Sequence, residues 1–267
     1  NKVASSVTVD PISFTYGESA SATATLVGAT GVNAVIDGHD GAVSVEGTTI
    51  TVSGLPAGTY TMVVTTVPDA NHTALSAEVT VTVNKAAATV SLSADKETIA
   101  FGESVALSSV VSPAGATGAV TYYLDGEPIT GDVLSGLAVG PHTVVAKYAG
   151  NDNFNAAESA PLTITVNKAD ASVVLSADKE SIAFGDSVTL NYVLSPAGAT
   201  GAVTIYLDGE PITGNVLSDL AAGTYTVVAK YAGDDNFNAA DSNAVTITVN
   251  KVASSVTVDP ISFTYGE

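Results

Sequence analysis

The dipeptide Asn-Lys recurs at Asn1-Lys2, Asn84-Lys85, Asn167-Lys168 and Asn250-Lys251, each step being 83 residues. A period of this length constrains the fold more than any other feature, because each copy must be a structural unit that can follow itself. Residues 84–166 and 167–249 align without gaps at about three-quarters identity and share the run SPAGATGAVT at 112–121 and 195–204. Residues 1–83 are a more distant copy, with a length shift around residues 37–59, and residues 250–267 are identical to 1–18. The expected organisation is a divergent module at 1–83, modules at 84–166 and 167–249, and the first strands of a fourth module at 250–267. The parent polymer is then expected to repeat every 249 residues, along one chain or from subunit to subunit.

Within a copy, short segments rich in Val, Ile, Thr and Tyr alternate with Gly, Pro and Asp turns about every 8–12 residues, which reads as a β-sandwich. In residues 167–249 the expected strands are 171–176, 181–184, 187–194, 202–207, a short return from Ile212 to Leu220, then 224–231 and 244–249. Asp208-Gly209 tolerates left-handed backbone and suits a tight hairpin. No segment has helical periodicity. The fold class is therefore all-β: tandem immunoglobulin-like β-sandwiches arranged as an extended rod. No Gly/Ser or Pro-rich linker separates the copies. Modules of about 35–40 Å in line predict a rod of roughly 100–120 Å.

Three motifs carry a resemblance. Phe184-Gly185-Asp186-Ser187 matches Phe101-Gly102-Glu103-Ser104 and Tyr16-Gly17-Glu18-Ser19. Ala222-Gly223-Thr224-Tyr225 leads through Lys230-Tyr231-Ala232-Gly233 to Asp235-Asn236-Phe237-Asn238-Ala239. With these spacings the chain resembles the bacterial Ig-like repeats of cell-surface adhesins and cell-wall stalk proteins. The first copy departs at the last motif, reading Pro68-Asp69-Ala70-Asn71-His72-Thr73-Ala74. The resemblance implies a bacterial, extracellular, cell-surface stalk or spacer. Tyr60 and Tyr225 each follow a Gly at a strand start, where a tyrosine corner is expected, and His142 holds that place in the second copy. Phe154 and Phe237 are expected to plug one end of each core.

Charge narrows the partners. Eight lysines and no arginine face 27 acidic residues, a net charge of −19, so phosphate backbones and anionic membrane surfaces repel the chain. No apolar run reaches the length of a membrane helix. No nucleic acid and no membrane insertion are expected, and thiol and disulfide chemistry are absent with cysteine.

Catalysis finds no support. His39, His72 and His142 fall in different copies at non-equivalent positions, and no phosphate loop or HExxH is present. Hard oxygen ligands cluster at Asp234-Asp235-Asn236 with Asp241, echoed by Asn151-Asp152-Asn153 with Glu158, the chemistry calcium prefers. They lack DxDxDG spacing, and loop capping by Asp and Asn explains them as well. Lys147 and Lys230 on strands are considered for a Lys–Asn isopeptide, but the counterpart assigned in the first copy is Val64. No catalytic, cofactor-binding or metal residue is assigned, and no cofactor is expected.

The expected function is a non-catalytic structural repeat of an extracellular surface protein or filament. Its expected partners are neighbouring modules or subunits of the same protein, with residues 250–267 a candidate strand for donation to a next subunit. The alternatives are an adhesin module binding a cell-surface or host glycan or protein through its loops, and an auxiliary domain of a secreted polysaccharide-degrading enzyme.

Overall fold

A computed structural model describes residues 1–262 and 265. Among the described residues all regular structure is strand. The chain divides into two compact units: Asn1–Glu97 with Val105–Leu134 and His142–Ile164, and Thr98–Ser104 with Ser135–Pro141 and Thr165–Glu267. The division does not follow the repeat, since two end loops of the second copy group with the third.

In the third copy one sheet runs in the order Ser181–Ala183, Val245–Asn250, Gly223–Tyr231, Val203–Leu207 and Glu210–Ile212, with Ala240–Asp241 also on Gly223–Tyr231. The other sheet is Ser172–Ala177, Val188–Ser195 and Val216–Leu217. The opening of the copy is thus shared out. Ser172–Ala177 pairs antiparallel with Val188–Ser195, and Ser181–Ala183 pairs parallel with Val245–Asn250 in the opposite sheet. The expected single return from Ile212 to Leu220 resolves into two pieces that change sheets, and Ala240–Asp241 is an added short strand. The second copy repeats these sheets with Thr89–Ala94, Val105–Ser112 and Val133–Leu134 facing Thr98–Ala100, Leu162–Asn167, Gly140–Tyr148, Val120–Leu124 and Glu127–Ile129.

Alternation explains which faces meet. In Gly223–Tyr231, Val227, Ala229 and Tyr231 are buried. In Val245–Asn250, Val245, Ile247 and Val249 are buried while Thr246 and Thr248 are not. Each fully buried Val or Ile contributes about 1.5–3 kcal/mol. Asp208-Gly209 forms the expected hairpin and Asp125-Gly126 its equivalent in the second copy: both Asp residues lie at positive φ, 47° and 50°. Each Asp also accepts a backbone N–H on the neighbouring strand, Asp125 from Thr143 and Asp208 from Thr226, both at 2.8 Å.

The first copy places Ile12–Thr15, Ser76–Asn84, Gly58–Pro68 and Ala29–Ile36 against Ser19–Thr23, Thr49–Ser53 and Val43–Glu46. Where the other copies bury Tyr148 or Tyr231 it buries Thr66, whose hydroxyl meets that of buried Ser5 at 2.6 Å. Of the expected opening of a fourth module, residues 251–262 are exposed and form no strand, and Phe263, Thr264, Gly266 and Glu267 lie outside the described residues.

Candidate functional site: the junctions between copies

The most elaborate repeated polar construction is where one copy hands over to the next. Asn84, the first residue of the second copy, extends the last strand of the first, and its carbonyl accepts the Tyr16 N–H at 2.8 Å. The next residue, Lys85, donates its Nζ to the Asn151 carbonyl at 2.7 Å. Ala86 then bridges Phe154 in parallel, its N–H donating to the Asn153 carbonyl and its own carbonyl accepting from the Asn155 N–H, both at 2.9 Å. Asn153 reaches back to the first copy, its Oδ1 accepting the Ala57 N–H at 2.9 Å. The Tyr16 ring meets the Phe154 ring edge-on, centroids 5.5 Å apart. Successive backbone groups on both sides of the Asn-Lys step are therefore committed, which leaves the connection little rotational freedom.

The second connection, inside the other unit, repeats the Asn carbonyl, Lys, bridge and ring contacts. The Asn167 carbonyl accepts the Phe101 N–H at 2.8 Å, and Lys168 donates to the Asp234 carbonyl. Ala169 bridges Phe237 with bonds to Asn236 and Asn238, both at 2.9 Å. Phe101 stands edge-on to Phe237 at 5.7 Å. Phe154 and Phe237 are each only 5% exposed, so the expected plugs of the core are also the seats for the preceding copy's aromatic ring. The sequence motif marked the Tyr16, Phe101 and Phe184 positions without their role. The signal was there in an aromatic-Gly pair and an invariant Asn-Lys, but which ends meet is a matter of topology.

The loop under each plug is capped by one Asp or Asn. Asn151 Oδ1 accepts the N–H groups of Asn153 and Phe154 at 2.9 Å. Asp234 does the same for Asn236 and Phe237, and its second oxygen accepts the Thr200 N–H at 2.9 Å. That bond from Thr200, with those from Asn236 and Phe237, holds the Asp234 carboxyl well below the usual carboxylate range. In the first copy Asp69 accepts the Asn71 N–H and pairs with His72 at 2.7 Å. The His72 hydrogen bond comes first in lowering the Asp69 pKa. The apparent loss of the last motif in the first copy is thus a substitution of roles: Val3 bridges His72 as Ala86 bridges Phe154.

The carboxylates considered for calcium go elsewhere. Asp234 serves the loop backbone, Asp235 is exposed, and Asp241 pairs with Lys230 at 2.8 Å. Among the described residues no three His, Asp or Glu side chains converge. His39 stacks edge-on to Tyr60 and His142 bonds Asp125 at 2.8 Å. Asp125 is lowered chiefly by that bond to His142. The tyrosine corners form: Tyr60 donates to the Pro56 carbonyl at 2.8 Å and Tyr225 to that of Ala221 at 3.0 Å.

Lys147 and Lys230 lie on the outer sheet face, paired with Glu158 and Asp241 at 2.8 Å. These acids raise both lysine pKa values. Each ammonium sits over a tyrosine ring, Tyr123 at 4.8 Å and Tyr206 at 5.6 Å, beside recesses of about 460 and 470 Å³. The register corrects the counterpart assigned in the first copy from Val64 to Thr65, which meets Ser76 where Lys230 meets Asp241. The length shift had displaced the match by one residue.

Sheets packed face to face, with the opening strand divided between them, define an immunoglobulin-like sandwich. The chain belongs to the bacterial Ig-like domain family (group 3), whose model matches residues 92–167 and 175–250. Domains of this family are typically extracellular and non-catalytic. Among solved structures the chain is similar to the fibronectin(III)-like modules of Clostridium thermocellum CbhA, at 18% identity over 63% of this chain and 100% of that one, TM-score 0.29. It is similar to an I-band fragment of titin at 13% identity over 95% and 100%, TM-score 0.31. It is also similar to Bacteroides ovatus SGBP-B, of a mixed-linkage glucan utilization locus, in complex with a mixed-linkage heptasaccharide, at 17% identity over 93% and 71%, TM-score 0.26. No curated protein sequence matches the chain. No helix among the described residues is long and apolar enough to cross a membrane.

Proposed function

We propose that the chain is a non-catalytic structural repeat of an extracellular surface protein or filament, its modules 1–83, 84–166 and 167–249 serving as stiff spacers. The observation that carries this reading is the junction. Two successive connections use the same Asn carbonyl, Lys ammonium, loop cap and ring pair. A flexible tether has no use for such bonds; a spacer needs them at every step. The acidic surface supports it by keeping modules from associating along their sides.

Electron microscopy of the purified chain over a concentration series, with calcium and with chelator, tests this. Particles with modules in line, about 100 Å long or polymerised end to end, are expected. Modules wandering independently about the Asn-Lys steps would sink it.

A second reading, a glycan-binding module, draws on the recess beside Tyr123, Lys147 and Glu158, since an aromatic face with flanking charge suits a sugar ring. Saturable binding on a glycan array, abolished by Tyr123→Ala, would favour it.

A further inference from the structure

The third copy carries one half of a junction that the chain makes twice elsewhere. Phe184 repeats Tyr16 and Phe101, and its N–H donates to the Asn250 carbonyl at 2.9 Å, as those of Tyr16 and Phe101 do to Asn84 and Asn167. The backbone is set in the same way, yet the surroundings differ. Tyr16 and Phe101 are half-buried, whereas Phe184 is 58% exposed. The neighbouring loop follows suit. Leu55 and Leu137 are buried but Leu220 only half-buried, and Ala57 and Val139 are half-buried where Ala222 is exposed. Beyond Asn250, Lys251 is exposed and Val252 is 60% exposed, where Lys85 and Ala86 are bonded into the following loop.

We infer that this end of the third copy is a docking face for a module of the kind formed by residues 1–83, entered from Asn250. Continuity with the two made junctions and the identity of 250–267 with 1–18 select that occupant. A module of that kind brings the matching groups. Its His72 stands where Phe154 and Phe237 stand, bridged by Val3, and is held by Asp69. Its Asn71 precedes His72 as Asn153, which accepts the Ala57 N–H at the first junction, precedes Phe154. The docked state therefore puts the incoming histidine edge-on to Phe184 and the incoming Asn carboxamide on the Ala222 N–H. The junction is chemically distinct from the other two, a Phe–His rather than a Tyr–Phe or Phe–Phe pair. The inference rests on the spacer reading and names the partner that reading requires.

The test continues the full chain after Glu267 with residues 19–83, completing the fourth module, and follows amide exchange by NMR beside the 267-residue chain. Protection of the Ala222 amide is expected to appear only in the continued chain. Phe184→Ala should speed that exchange roughly tenfold there while leaving the 267-residue chain unchanged. Val174→Ala, at an exposed position of the same copy, should change neither. A fourth module that stays unfolded, or one that folds with the Ala222 amide unprotected and Phe184→Ala silent, overturns the inference. The spacer reading is judged separately, by the particle shapes seen with the 267-residue chain.

Discussion

At the scale of single residues, the ring that plugs each module is seated on a glycine, and the tightness of the seat varies with the ring. A Cβ on Gly28 would lie 2.3 Å from the His72 ring, with the backbone at φ +66°. One on Gly115 would lie 3.3 Å from Phe154, and one on Gly198 3.6 Å from Phe237, with no left-handed backbone at either. Gly28→Ala meets both steric overlap and left-handed strain, and is expected to cost about 2–4 kcal/mol. Gly198→Ala should cost under about 1 kcal/mol, since the contact is ordinary van der Waals distance. Urea unfolding of each variant, followed at the module concerned, measures the contrast. The tyrosine corner offers a smaller effect: Tyr225→Phe removes only the hydroxyl bond to Ala221 and should lower stability by about 0.5–1.5 kcal/mol.

At the scale of loops and strands, the cap of the junction loop accepts the same two backbone N–H groups as Asn151 or as Asp234, and Asp234 adds a third from Thr200 through its second oxygen. Asp234→Asn keeps the bonds from Asn236 and Phe237 but turns an NH2 donor toward the Thr200 N–H, so it is expected to fold with faster exchange at Thr200 alone. Asp234→Ala leaves all three N–H groups unanswered and should loosen the loop, read as faster exchange at Asn236 and Phe237. The difference appears with pH. The Asp234 carboxyl is lowered by its bond from Thr200 first, so its folded pKa lies below its unfolded one. The resulting stability is present above about pH 4 and is lost as pH falls through the folded value. Asp69 and Asp125 act in the same direction. Lys147 and Lys230 have raised values, so their contribution is present below about pH 10 and lost as pH rises further. Acid unfolding of the third copy should therefore be shallower in Asp234→Asn than in the native chain, and equal acid limbs would refute the role given to Asp234. Most strands are legible in the sequence because alternation and turn residues act locally: the expected 171–176 is observed as Ser172–Ala177, and 224–231 as Gly223–Tyr231. The switch of sheets between Ile212 and Val216 is not, since a two-residue strand carries no periodicity. Nor is the ring pair of Phe101 with Phe237, whose members stand far apart in sequence.

At the scale of the whole molecule, repeat proteins owe their cooperativity to the terms between neighbours as much as to each unit. Phe101 and Phe184 allow that term to be isolated. They are the same residue in the same motif, each with its N–H on the carbonyl of the Asn that follows its own copy, Asn167 or Asn250. They differ in that Phe101 has Phe237 at 5.7 Å, while Phe184 is largely exposed. Truncating either ring to alanine removes the same atoms and the same unfolded-state surface, so those contributions cancel in the comparison. What remains is the junction: an edge-on aromatic pair, worth about 0.5–1.5 kcal/mol beyond its buried area, and the apolar contact around it. Phe101→Ala is expected to destabilise the third copy by about 1–2 kcal/mol and to speed exchange at the Ala169 and Asn238 amides, which flank the Phe237 bridge. Phe184→Ala should stay within about 0.5 kcal/mol of the native chain. Inserting Gly-Gly-Ser between Asn167 and Lys168 should reproduce the Phe101→Ala exchange pattern, because it detaches the ring without deleting it. If the insertion leaves exchange at Ala169 and Asn238 unchanged, the copies are held by something other than the stitched Asn-Lys step, and the spacer reading loses its physical basis.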